Sequence, residues 1–201
     1  MVTDSTATTD SRPALQIEAH LASGPAAITI EVVMRNHGAA PVAVFNRPHD
    51  FASYGVPESV GSFVSQVVLR DDGALSVAMI VPPLPGLRMV DVRSVPCVTE
   101  LQPGAQQTDV VVIPTPVAEF NPYFPSSPGI PTEQVKSTRV EIWVDYLIVA
   151  PPITLERTEH PGCLQARGWT RDTVKRIIHR LSGVSVPVLK RRDAFHAVPR
   201  P

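Results

Sequence analysis

"STRVEIWVDYLIVA" (137–150) decides the fold. Its side chains alternate without interruption. Val140, Ile142, Val144, Tyr146 and Ile148 share one face, and Arg139, Glu141, Trp143 and Asp145 share the other. Successive side chains of a strand point to opposite sides of a sheet, so a period of two predicts a long strand with one face in a core. The β-branched and aromatic residues that fill it fit a pleated surface.

The same period recurs upstream. "LQIEAHL" (15–21) places Leu15, Ile17, Ala19 and Leu21 on one face against Gln16, Glu18 and His20 on the other. "ITIEVVMRN" (28–36) repeats the pattern, "HGAAP" turns, and "VAVFN" (42–46) reads as the return strand. "FVSQVVLR" and "ALSVAMIV" flank "DDG" (71–73), a strong hairpin signal because glycine takes positive φ without a Cβ clash. In "CVTELQPGAQQTDVVVIP", Pro103-Gly104 turns the chain into the apolar run from Val110 to Ile113. Many short strands joined by turns, with no helix before residue 168, predict a mainly β chain built as an antiparallel β-sandwich.

The order "EVVMRNHGAAPVAVFN", then "LQPG", then "VEIWVDYLIV" resembles immunoglobulin-like β-sandwich modules. The resemblance covers roughly residues 15–150 and implies an architecture, not an activity, because such sandwiches host unrelated functions. A jelly roll is the rival arrangement.

Length allows one sizeable core. Proline is the compositional outlier: 22 residues, about twice average usage, imply many reversals and ordered loops. "MVTDSTATTDSRP" (1–13) is small and polar and reads as a disordered leader, with no signal-like apolar run. No window is apolar for long enough to span a bilayer, so the expectation is a cytoplasmic chain without membrane insertion, possible as part of a particle. Cys97 and Cys163 lie far apart and form no C-x-x-C; they read as reduced thiols, with a disulfide as the lesser alternative. Residues 1–150 carry 8 basic and 15 acidic side chains, whereas residues 151–201 carry 10 and 4. The expected organisation is therefore an acidic sandwich domain (14–150) followed by a basic extension (151–201).

That extension contains "GWTRDTVKRIIHRLSG" (168–183). Val174, Ile177, Ile178 and Leu181 fall at i, i+3, i+4 and i+7, which predicts an amphipathic helix over about 170–182. Thr170 would cap it and Gly183 end it. Arg171, Lys175, Arg176, His179 and Arg180 would form its basic face, open to a protein partner. The absence of aromatic interleaving points away from nucleic acid.

No nucleophile elbow, phosphate loop, dinucleotide fingerprint or H-E-x-x-H occurs, and the six histidines are scattered. His160 and Cys163 in "EHPGC" have the spacing of half a metal site without a second half. Asn46, Arg47, His49, Asp50 and Tyr54 concentrate polar groups on one connection, which reads as an ordinary loop. No catalytic, cofactor-binding or metal-ligating residue is expected, no small-molecule substrate is evident, and the chain reads as a non-enzyme.

"EFNPYFPSSPGIPTE" (119–133) offers another surface. Phe120, Tyr123 and Phe124 are interleaved with prolines, including Pro125, a combination suited to a stiff binding loop. The alternative places the rings in the end of the core. Together these features predict a protein-binding or assembly module that meets other protein subunits or copies of itself. Phe120, Tyr123, Phe124 and Pro125 of the loop would make that contact with Arg171, Lys175, Arg176 and Arg180. A soluble inhibitor or immunity-like protein, plugging a partner enzyme with the loop, is the alternative.

Overall fold

A computed structural model describes residues 13–47, 64–84, 96–124, 129–158 and 163–192. The stretch 137–150 belongs to the longest strands. β9 (Thr132–Ile148) runs antiparallel beside β12 (Lys175–Arg191), paired from Tyr146↔Lys175 to Thr132↔Arg191 with one register shift between Ser182 and Val186. The opposite side of β9 is shared. β3 (Val42–Arg47) takes its C-terminal end, and β5 (Leu75–Met79) runs parallel to its middle, Leu75↔Val140 to Met79↔Val144. Beyond β3 come β6 (Cys97–Leu101), β11 (Leu164–Arg167) and β10 (Thr154–Arg157). β4 (Gln66–Leu69) pairs with β5 around the predicted Asp-Gly turn, where Gly73 has φ 79°.

A second sheet holds β1 (Leu15–Ser23), β2 (Ala27–Asn36) and β7 (Gln106–Pro114), in that order. Ile17, Ile30 and Val111 of this sheet are buried in one cluster with Val144, Ile142 and Val186 of the large sheet. The two sheets therefore share one buried core in a mainly β fold.

One end of the large sheet closes on itself. β8 (Val117–Ala118) runs parallel to β12, and two residues later Phe120 bridges antiparallel to Val67 of β4. The circuit β9, β12, β8, β4, β5 returns to β9. Glu119, only 1% exposed, sits in the seam between β12 and β4. Its two carboxylate oxygens accept the Leu69 N–H and the Arg191 N–H, each at 2.7 Å. A carboxylate thus supplies acceptors where a two-residue strand is too short to provide its own.

The predicted amphipathic helix over about 170–182 is not formed. Arg171–Thr173 make a single 3-10 turn, and from Lys175 the chain is strand. Ile177 and Leu181 pack on the main core, while Arg176, Ile178 and Arg180 lie on the other face opposite Asp145, Trp143 and Glu141. Spacing of i, i+4 satisfies a strand as well as a helix, and Thr173, Val174, Ile177 and Ile178 are stiff at χ1. The outer side of β9 decides between them, because its Asp145 and Glu141 pair Arg176 and Arg180, which a helix would leave to solvent. Gly183 does adopt a left-handed φ of 74°, but it does so beside the irregularity between Ser182 and Val186. There it serves a β-bulge, not a helix end.

Two local readings also change. "HGAAP" does not join paired strands: β2 lies in the small sheet and β3 in the large one, so the chain crosses between layers there. The Pro103-Gly104 turn carries it back from β6 to β7. Asn36, 1% exposed, ties both crossings. Its side-chain N–H groups donate to the Ala40 and Leu101 carbonyls, each at 2.9 Å, and its Oδ1 accepts the Gly38 N–H at 2.8 Å. Its backbone meets Gly104 and Ala105. Asn36→Ala is expected to lower unfolding free energy by about 2–3 kcal/mol, measured in denaturant, because it strands buried partners without opening the core. Finally, Cys97 and Cys163 are joined as a disulfide with Cα atoms 5.2 Å apart, not separate thiols. The β10–β11 hairpin folds Cys163 back beside β6, a proximity that a long sequence separation conceals.

Candidate functional site

The outer face of β9 and β12 carries the densest group of charges. The Asp145 carboxylate, 2% exposed, accepts Arg176 Nε at 2.7 Å and Nη2 at 3.0 Å in a two-point bond, with the Val81 N–H at 3.2 Å. Glu141 accepts Arg180 Nε at 3.0 Å, Trp143 Nε1 at 3.0 Å and Arg70 Nη1 at 3.4 Å. Trp143, almost fully buried, has the Arg70 and Arg176 guanidiniums each 5.1 Å from its ring centroid. Cations held over a ring face are attracted by its quadrupole. Asp145 and Glu141 of this ladder are bound to protein donors, so the face is a lattice between strands.

Asp72, in the turn between β4 and β5, belongs to the same network. Its slight burial opposes ionisation, but the Ala74 N–H and the Arg70 and Arg139 guanidiniums outweigh it and hold the carboxyl below its usual value. Asp109 of β7 is buried and accepts Asn46 Nδ2, Gln107 Nε2 and Arg47 Nη1. Asn46 and Arg47 therefore link β3 to the small sheet, whereas His49, Asp50 and Tyr54 lie outside the described residues. Among the described residues no group of three His, Cys, Asp or Glu side chains converges as a metal site. No helix there is long and apolar enough to cross a membrane.

The residues singled out in the sequence do not form one surface. Phe120 is 4% exposed and packs in the main core through its Val67 bridge. Tyr123 and Phe124 are half-buried, and the Phe124 carbonyl accepts Arg191 Nη1 at 2.7 Å. Pro125 and His160 lie outside the described residues. Arg176 and Arg180 are consumed by the ladder. Arg171 and Lys175 are exposed just before it, with no ion pair among the described residues.

Tyr146 is buried beneath β1, and burial pushes its hydroxyl above the ordinary tyrosine value while a backbone hydrogen bond from Leu15 works the other way. Above pH of about 10 the unfolded chain releases this proton and the folded chain keeps it, so stability falls as pH rises. Tyr146→Phe is expected to flatten the alkaline limb of a melting-temperature profile relative to the parent chain. Parallel limbs would contradict the burial argument.

The feature that sequence reasoning missed is an edge. β7 pairs with β2 on one side, and no strand among the described residues pairs with its other side. The Asn36 N–H to Ala105 carbonyl bond at 3.0 Å and the Thr115 N–H to Ala26 carbonyl bond at 2.9 Å fix the phase of this ladder. Odd-numbered residues of β7 bond to β2, so Gln106, Thr108, Val110 and Val112 turn their backbone groups outward. Their side chains are uncharged and exposed, Val110 and Val112 at 47% each. The strand's single charge, Asp109, points inward. Soluble proteins usually blunt an edge with lysine, proline or a bulge, and β7 carries none of these before its last residue, Pro114. Being an edge is defined by which strands fail to pair, so only the direction of the side chains was readable beforehand.

Comparison with known proteins returned no match: no family model, curated protein or solved structure matches the chain.

Proposed function

We propose that the chain is a non-enzymatic protein-binding or assembly module that receives an extended segment of another subunit along β7. The observation that carries this reading is the outer edge of β7, which no strand among the described residues pairs and whose outward-facing residues Gln106, Thr108, Val110 and Val112 are uncharged. Strand addition to such an edge gives affinity through main-chain hydrogen bonds. Assembly also suits the ladder on the opposite layer, which holds the large sheet rigid behind the edge.

The scaffold reads as immunoglobulin-like. The first two strands and β7 form one layer, and β6, β3, β9 and β12 follow in order in the other. Such modules likewise divide their strands between two layers, and on this reading the β4–β5 and β10–β11 hairpins are insertions. Contact by the proline-aromatic loop would involve Tyr123 and Phe124 at its rim, because Phe120 is committed to the core. The Cys97–Cys163 bond suits an oxidising compartment and weighs against a cytoplasmic setting.

Val110→Pro tests the reading. It deletes an outward N–H, leaves the bonds to β2 in place, and proline is tolerated on edge strands. In an extract of cells that make the protein, the parent chain is expected to elute in a complex larger than 21.8 kDa. The variant should elute as a single chain. An elution unchanged by the substitution would contradict the reading.

A further inference from the structure

We infer that the occupant of the β7 edge is a second copy of this chain, paired antiparallel about a two-fold axis at Val110; the inference rests on the binding reading above. Val110 is the middle residue of Gln106–Pro114, so a two-fold axis there overlaps the whole strand with itself. The axis also falls on a residue whose N–H and carbonyl face outward, as a symmetric antiparallel pair requires. Val110 would exchange both bonds with Val110 of the second copy, and Thr108 would do so with Val112 in each direction. That makes roughly six backbone hydrogen bonds, with Gln106 facing Pro114 at each end. Proline's missing N–H therefore falls only at the two ends of the pairing.

Charge favours self-pairing as well. Gln106, Thr108, Val110, Val112 and Pro114 present no like charges to their own copies. The nearest carboxylate on this face, Glu31, lies opposite Val110 on β2. Across the axis the two Glu31 residues would stand three strand spacings apart, about 14 Å. At physiological salt that exceeds the screening length of about 8 Å. On the exposed face, Val110 would meet Val110, and Val112 would meet the Thr108 methyl, pairs that stabilise neighbouring strands. The other edge of the small sheet is less suited: β1 presents Glu18 and His20, and its Leu15 backbone already bonds Tyr146.

Sedimentation equilibrium on the purified full chain across the micromolar range is expected to give twice the 21.8 kDa chain mass. Val110→Lys places two like charges at the axis and should give the single-chain mass while keeping the strand-type circular dichroism of the folded parent. Register is read independently by cross-linking. Val110→Cys should form an intermolecular disulfide on mild oxidation, since paired Cα atoms lie about 5.5 Å apart, within disulfide reach. Thr108→Cys should not, because its copies stand about 13 Å apart along the strands. A parent chain that is monomeric throughout, a dimer that Val110→Lys leaves intact, or cross-linking through Thr108→Cys alone would each overturn the inference. A pure monomer that still enters a Val110→Pro-sensitive complex in extract overturns self-pairing alone. Absence of any such complex as well overturns the binding reading too.

Discussion

Glu119→Ala is expected to cost about 3–5 kcal/mol of stability, because it strands two buried backbone N–H groups at once. Leu69 on β4 and Arg191 on β12 both donate to this carboxylate, and Glu119 itself is 1% exposed. Water cannot replace the lost acceptor without opening the seam. The circuit of strands should then loosen where β8 is shortest, between Phe120 and β4. Glu119→Gln keeps one acceptor oxygen and should recover about half of the loss. Denaturant titrations of the three proteins measure the difference. An alanine variant within about 1 kcal/mol of the parent would show that the seam is held by other contacts.

The second large effect is expected on removing the disulfide. Cys97→Ala/Cys163→Ala opens a loop closed over 66 residues and should cost about 3–4 kcal/mol, chiefly through the freedom returned to the unfolded chain. The folded state loses a tether too. β11 joins β6 through the single register pair Leu164↔Val98, so the bond next to it carries much of the attachment of the β10–β11 hairpin. What remains is packing: Ile153 and Ala166 against Phe45, Val98 and Leu147, with Trp169 edge-on to Phe45 at 5.6 Å. Reduction should therefore lower the unfolding midpoint and change Trp169 emission before the rest of the chain melts. A midpoint unchanged by reduction would contradict this attachment.

The strands of the small sheet, β9 and the Asp-Gly hairpin were legible because their signals are local. Alternation over Leu15 to Leu21 or Val140 to Ile148 needs no knowledge of partners. β12 was misread because Val174, Ile177, Ile178 and Leu181 fit two periods, and the deciding residues lie far away at Asp145, Trp143 and Glu141. A usable signal did exist: Arg176, Ile178 and Arg180 at every second position complement Asp145, Trp143 and Glu141 at every second position. β3 reads as the return of β2 because consecutive strands usually neighbour each other. Asn36, which redirects the chain, gives no sign in sequence of the Leu101 carbonyl that it will meet.

The candidate site was less legible than the fold. Arg176 and Arg180 stood out as cations, yet their charge is answered within the chain, which the net basicity of residues 151–201 conceals. Glu119 read as the first residue of a loop, and only the approach of β4 and β12 gives it a role. Val110 read as part of an apolar run. Its importance comes from lying on an edge, a property of topology with no local sequence signature.

Amide hydrogen exchange at Thr108, Val110 and Val112 distinguishes a paired β7 edge from an open one. These N–H groups point away from β2, so they are protected only if something adds to the edge. Self-pairing predicts slow exchange that slows further as protein concentration rises, with Asp109 and Val111 protected at every concentration by β2. Fast exchange at the three outward amides, independent of concentration, would contradict it.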